Sequence, residues 1–210
     1  MKEKPSLETK KDGSSLMFIQ TEDTPNPQSL KFLPGRPVLG EDKLGVDFPT
    51  PDSAKPSPLA TALFEEDGVM GVYLGADFLT VTKDPAVEWV HLKPVLLGTI
   101  ADYLAAGIPV VDEAMMGDEL GPASLDDYEG EDREVVEQIV DLIETRVRPA
   151  VAQDGGDIVF HKFVPGDGIV YLTMKGACAG CPSSTMTLKS GIENLLKHYV
   201  PEVTAVEAVM

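Results

Sequence analysis

The chain of 210 residues has little of what usually announces chemistry. Two cysteines exclude the disulfide framework that staples small secreted domains. Three histidines are a thin supply for a metal site built from protein alone. Basic side chains are scarce: 17 Lys and Arg stand against 35 Asp and Glu, a formal net charge of −18. A nucleic-acid binder needs a basic face to displace phosphate counterions, and docking on anionic lipid needs one too, so neither nucleic acid nor membrane is an expected partner. Apolar runs fall far short of the roughly 20 residues of a spanning helix. What is present is an ordinary globular balance, 43% apolar and 25% charged, in a chain long enough for one or two domains with a sizeable core.

Residues 1–16 lack the apolar stretch of a signal peptide. They also lack Arg and carry Glu3, Glu8 and Asp12, which a mitochondrial transit peptide avoids. They read as a disordered extension, and the expected location is a bacterial cytoplasm, with the mitochondrial matrix as the alternative. Either compartment is reducing, so both thiols are available for chemistry.

Charge divides the chain. Residues 112–132 hold nine acids and no base, with three Gly and one Pro. Such a segment repels itself and cannot bury a core, which predicts a flexible acidic linker between two small domains, 17–111 and 133–210. The fold class expected is mixed α/β (α+β). In the first domain, residues 17–22 and 29–33 read as strands around the turn Thr24-Pro25-Asn26-Pro27. Residues 58–66 read as a short helix, 69–74 and 78–82 as strands, and 91–106 as a helix with Leu92, Leu96, Ile100 and Leu104 on one stripe and Gly107 at its end. In the second domain an amphipathic helix is expected over 133–148, ended by Pro149. Strands follow over 158–164 and 169–174, then a helix after Pro182 ended by Pro201, then a strand over 203–209. That order, α-β-β-α-β, suits a three-stranded sheet covered by two helices.

The sharpest chemical feature is Cys178-Ala179-Gly180-Cys181, followed by Pro182. Two intervening residues bring two sulfurs close enough to grip one metal centre or to close a small disulfide. Pro182 suits the first position of a helix, so Cys181 is expected at or near its N-cap, where backbone N–H groups favour a thiolate. Gly176 and Gly180 permit close approach of bulky inorganic sulfide. Spacing alone leaves three readings open. A dithiol oxidoreductase would use the pair directly, although no aromatic precedes it. A zinc site would need His161 or His198 to join, since no second CxxC exists. A [4Fe–4S] cluster takes four cysteines, and two chains supply four.

Taken together, Gln153-Asp154-Gly155-Gly156-Asp157, Gly176-Ala177-Cys178-Ala179-Gly180-Cys181-Pro182-Ser183-Ser184 and Pro201-Glu202-Val203 resemble the NifU C-terminal domain of Nfu-type iron–sulfur proteins. Met17-Phe18-Ile19-Gln20-Thr21, Thr24-Pro25-Asn26-Pro27 and Ser29-Leu30-Lys31-Phe32 resemble the N-terminal domain of mitochondrial and alphaproteobacterial Nfu. The resemblance spans residues 17–210. It implies a carrier or scaffold, not an enzyme in the turnover sense, that binds a labile [4Fe–4S] cluster through Cys178 and Cys181 of two protomers. It further implies a homodimer when loaded, an upstream cluster donor, and apo iron–sulfur proteins such as lipoyl synthase-like enzymes as acceptors.

Other residues have plainer expectations. The Asp154–Asp157 turn needs its residue types for the turn itself. Ser183, Ser184 and Thr185 could donate to cluster sulfides or simply solvate a helix start. Met174 and Met186 are expected in the core. Trp89 is expected to anchor packing. The linker could raise the effective concentration of a client held by the first domain.

Overall fold

The computed structural model describes residues 18–40, 43–112, 125–179 and 182–209, with the side chains of 182–184 left out. The expected extension and residues 113–124 of the expected linker lie outside that description, as do Gly180 and Cys181.

The N-terminal part is an antiparallel five-stranded sheet in the order β1-β2-β5-β4-β3. Its strands are β1 (Gln20–Asp23), β2 (Ser29–Leu33), β3 (Val46–Phe48), β4 (Val69–Leu74) and β5 (Leu79–Lys83). Helices α1 (Pro58–Phe64) and α2 (Trp89–Ala106) cover one face. The turn joining β1 to β2 forms as its residues dictate. Thr24 Oγ1 donates to Asn26 O at 2.8 Å, and Asn26 Oδ1 accepts from Gln28 N at 3.0 Å. Side chains alternate across the pleat. Leu30, Phe32, Val72, Leu74, Leu79 and Val81 meet Leu59, Leu63, Leu92, Leu96, Ile100 and Leu104 of the helices. The expected stripe of α2 is therefore its buried side. Ser57 caps α1 by accepting from Ala60 N at 3.0 Å. Gly107, in the left-handed region at φ +66°, closes α2 as expected. β3 was not expected: three residues are too few to show a period of two.

The C-terminal part follows the expected order. It comprises α3 (Gly130–Leu142), a wide turn of π-helix (Ile143–Val147), α4 (Arg148–Gln153), β6 (Gly156–Val164), β7 (Ile169–Gly176), α5 (Pro182–Tyr199) and β8 (Ala205–Val209). The sheet order is β6-β7-β8, with β6 antiparallel and β8 parallel to β7. α5 is the crossover that a parallel pair requires. Val136, Ile139, Ile143, Ile158, Leu172, Ile192, Leu196 and Val206 form the core.

Two expectations are corrected here. Pro149 does not end the first helix. The π turn widens the chain by one residue, and Pro149 then falls in the first turn of α4, where its missing N–H has no intrahelical partner to lose. The helix also starts at Gly130, three residues inside the expected linker, and Tyr128 is already folded against the domain. Its hydroxyl donates to Phe163 O at 3.1 Å and accepts from Phe163 N at 2.8 Å.

Candidate functional site

The site is the loop between β7 and α5. Gly176, the last residue of β7, takes φ +61°, a conformation that disfavours any side chain, and this turns the chain out of the sheet. Its cross-strand partner is Gly156. A Cβ on Gly156 would strike the Cys178 sulfur, so the glycine makes room for the thiol. Ala177 N donates to Gly155 O at 3.2 Å and Ala179 N to Gly176 O at 3.0 Å. Thr185 Oγ1, one turn into α5, donates to Cys178 O at 3.1 Å. The glycine turn after α4 and the start of α5 thus hold the loop from two sides.

Cys178 is a free thiol, only 6% exposed, and packs within the C-terminal core. Burial, with smaller contributions from the Asp154 and Asp157 carboxylates, pushes the thiol up to about 12. At neutral pH it is therefore protonated. The helix-end effect that favours a thiolate was argued for Cys181, which lies outside the described residues. Among the described residues no three His, Cys, Asp or Glu gather as a metal site. His161 lies on β6, and His198 is exposed with its ring edge-on to Tyr199 at 4.8 Å. No third described ligand therefore supports the zinc reading.

The Asp154–Asp157 turn does more than reverse the chain. Asp157 takes a two-pronged grip from Arg148, with Nε at 2.8 Å and Nη2 at 2.9 Å. The phenol of Tyr73 in the N-terminal sheet faces the same carboxylate across a shared cleft. Thr80 Oγ1 donates to Gly155 O at 2.7 Å, and Lys31 Nζ to Ala152 O at 3.0 Å and Gln153 O at 3.2 Å. Asp47 accepts from Gly176 N at 3.1 Å. Lys31, Tyr73, Thr80, Asp47 and Arg148 were not singled out by the sequence. For Lys31, Tyr73 and Thr80 the one signal was polarity at alternate strand positions, which a solvated sheet face also shows; Asp47 lies on a strand of three residues and Arg148 on α4, where no such alternation can be read.

Ser183 and Ser184 have no described side chains. Met174 is buried as expected, whereas Met186 is 70% exposed. Met186 follows the first turn of α5 and points away from the stripe that packs inward through Ile192 and Leu196. Trp89 anchors packing: its indole N–H donates to Pro27 O at 3.2 Å.

A family model described as Scaffold protein Nfu/NifU N terminal matches residues 19–107, and one described as NifU-like domain matches 139–207. The human protein named NFU1 iron-sulfur cluster scaffold homolog, mitochondrial, is 50% identical over 195 residues, covering 92% of this chain and 72% of its own length. This chain belongs to the Nfu/NifU family of iron–sulfur cluster scaffold proteins. A Drosophila sechellia relative of the same name is 48% identical over 193 residues, 92% of this chain and 65% of the relative. A solved NifU-like protein from Saccharomyces cerevisiae overlaps 54% of this chain and 99% of its own, at 29% identity and a TM-score of 0.45. The NifU-like match contains the whole cysteine loop and the turn that supports it. The Nfu/NifU N-terminal match ends at Gly107, the residue that closes α2.

Proposed function

We propose that this Nfu/NifU family member carries a [4Fe–4S] cluster held by Cys178 and Cys181 of two copies, and passes it to apo iron–sulfur proteins. The observation that carries the reading is a CxxC pair on a glycine-hinged loop in the NifU-like domain, with Cys178 an unpaired thiol. Four thiolates complete a cubane, and one chain supplies two. The cluster is cargo. Each cysteine gives up its proton on binding iron, and on delivery an acceptor thiolate displaces one cysteine at a time. A site shared between chains suits release, because separating the chains removes two ligands together.

The chain acts as a carrier, not an enzyme with turnover. Its acceptors are apo-proteins of the lipoyl synthase kind, loaded from an upstream donor. The names of the human and fly relatives favour the mitochondrial matrix, and nothing among them supports the cytoplasmic expectation. A dithiol oxidoreductase attacking through Cys178 would need that thiol exposed and low in pKa, and Cys178 is neither.

Anaerobic reconstitution with iron and sulfide tests the reading. The expected result is a brown protein whose charge-transfer absorbance disappears in Cys178→Ser and in Cys181→Ser. A colourless product with a reversible intramolecular disulfide would transfer the pair to redox chemistry.

A further inference from the structure

The outer face of the N-terminal sheet is polar and yet buried. One rung crosses all five strands, because Glu22 pairs with Lys31, Lys31 with Thr80, Thr80 with Tyr73, and Tyr73 with Asp47. Cross-strand partners share a face, so these five side chains form a single line. A sheet face without a helix on it normally belongs to solvent. Here Lys31 is 7%, Tyr73 3% and Thr80 1% exposed.

What covers the rung is the framework of the cysteine loop. Lys31 takes the last carbonyls of α4, Thr80 the carbonyl of Gly155 and Asp47 the N–H of Gly176, while Tyr73 faces the Asp157 carboxylate. Glu22 steadies the Lys31 ammonium at 3.6 Å. Gly155 and Gly176 are bare where the two parts meet. A Cβ on Gly155 would come within 2.9 Å of Thr80 Oγ1, and one on Gly176 within 2.9 Å of the Tyr73 ring. Asp47, Met70, Tyr73 and Ala179 line one cleft at this boundary, of about 150 Å³, and Tyr73, Phe78, Arg148 and Asp157 line another, of about 320 Å³. A polar, incompletely filled boundary of this kind separates more readily than a dry apolar one.

We infer that this rung is an intramolecular clamp on the cysteine loop, and that docking on it and meeting a second copy at the cysteines are alternative states of the chain. The inference rests on the proposed sharing of a cluster. Four cysteines on one cubane require the two loops to approach within a few bond lengths of each other. With the clamp closed, a folded domain sits on Gly176 and Ala179, in the path of that approach. Opening the clamp frees the Gly176 N–H and leaves the Gly155 carbonyl to Ala177 N alone, so both backbone groups that set the loop change partners. The linker between residues 112 and 125 then tethers the released domain. The clamp thus holds the empty carrier as a closed monomer and charges an opening step against loading.

Full-length chains carrying Thr80→Arg or the milder Asp47→Ala test this. The first puts bulk and charge where Gly155 sits, and the second removes the acceptor of the Gly176 N–H from an edge strand. Three quantities are read: hydrogen exchange at the Gly176 amide of the apo chain, the rate of anaerobic cluster uptake, and the concentration at which the loaded dimer dissociates. Competing states require that weakening one favours the other. The expected result is exchange at least about tenfold faster in both variants, with faster cluster uptake and a cluster-loaded dimer that persists to lower concentration. Equal Gly176 exchange in wild type and in both variants would overturn the clamp. Faster exchange with an unchanged uptake rate and unchanged dimer would overturn the exclusivity while leaving the carrier reading intact. Faster exchange with no iron uptake in any chain, wild type included, would remove the carrier reading and with it the second state.

Discussion

At the residue scale the chemistry turns on one thiol. Cys178 is neutral when packed, with its ionisation moved from an ordinary value near 9.0 up to about 12. A raised pKa means the packed state favours the protonated form. Its contribution to stability is full below about 9 and is lost as pH rises toward 12. Alkylation of Cys178 in a Cys181→Ser chain should therefore keep rising about tenfold per pH unit through pH 10 with no plateau, as followed by intact mass. A plateau setting in by about pH 10 would show a thiol with its ordinary, unburied ionisation. Gly156 carries a second prediction. Gly156→Ala drives a methyl into the Cys178 sulfur and should cost about 1–3 kcal/mol, read as a fall of several degrees in the melting temperature of the apo chain. Asp157 explains why Arg148 is not exchangeable for lysine: Arg148→Lys loses the fork and should destabilise by about 1–2 kcal/mol in urea titration. The thiol pair was legible because CxxC is a local spacing. The packing of Cys178 against the core was not, because it depends on Gly156, a residue whose relevance appears only when β6 and β7 pair.

At the scale of elements, legibility followed length and period. β2 and β4 have the bounds that alternation predicts, 29–33 and 69–74, and α2 has the stripe and the glycine stop. The C-terminal order of helix, hairpin, helix and strand was equally readable, because glycine turns punctuate it. Three elements escaped: β3, a single 3-10 turn at Leu125–Asp127 within the expected linker, and a turn of π-helix. β3 is held by its partner β4 and not by its own composition. The turn of π-helix at Ile143–Val147 converts Pro149 from a helix end into a helix start, and no local rule announces the extra residue. Gly107→Ala tests the α2 stop. A side chain at φ +66° should cost about 1 kcal/mol, seen as a lower melting temperature with unchanged cluster binding. No change in melting temperature would mean that α2 ends for another reason.

At the scale of the whole molecule, two sheets face a single loop. The N-terminal sheet uses one side for its own helices and the other for the loop's framework, so Lys31, Asp47 and Thr80 of its rung each have a partner more than 70 positions distant, as with Thr80 and Gly155. No window of sequence contains both halves of such a contact, which is why the face reads as solvated until the chain is folded. Tyr73 makes the docking pH-dependent. Burial first, then the charge of Asp157, raise its phenol, opposed by Arg148 and helped by Asp47. The docked state therefore favours the neutral phenol. Its share of docking is complete below the ordinary tyrosine value of about 10 and is lost as pH rises above it. Gly176 amide exchange, corrected for its intrinsic pH dependence, should accelerate above pH 10 in the wild type and not in Tyr73→Phe.

The claim on which the rest stands is that two copies share one cluster through Cys178 and Cys181. Native mass of the anaerobically reconstituted full-length chain measures protomers and iron in one spectrum. Two chains with four irons and four sulfides, reverting to the monomer mass when a chelator removes the iron, is the result the account predicts. A loaded species that is a single chain with iron bound, or a chain that takes up no iron at all, would contradict it.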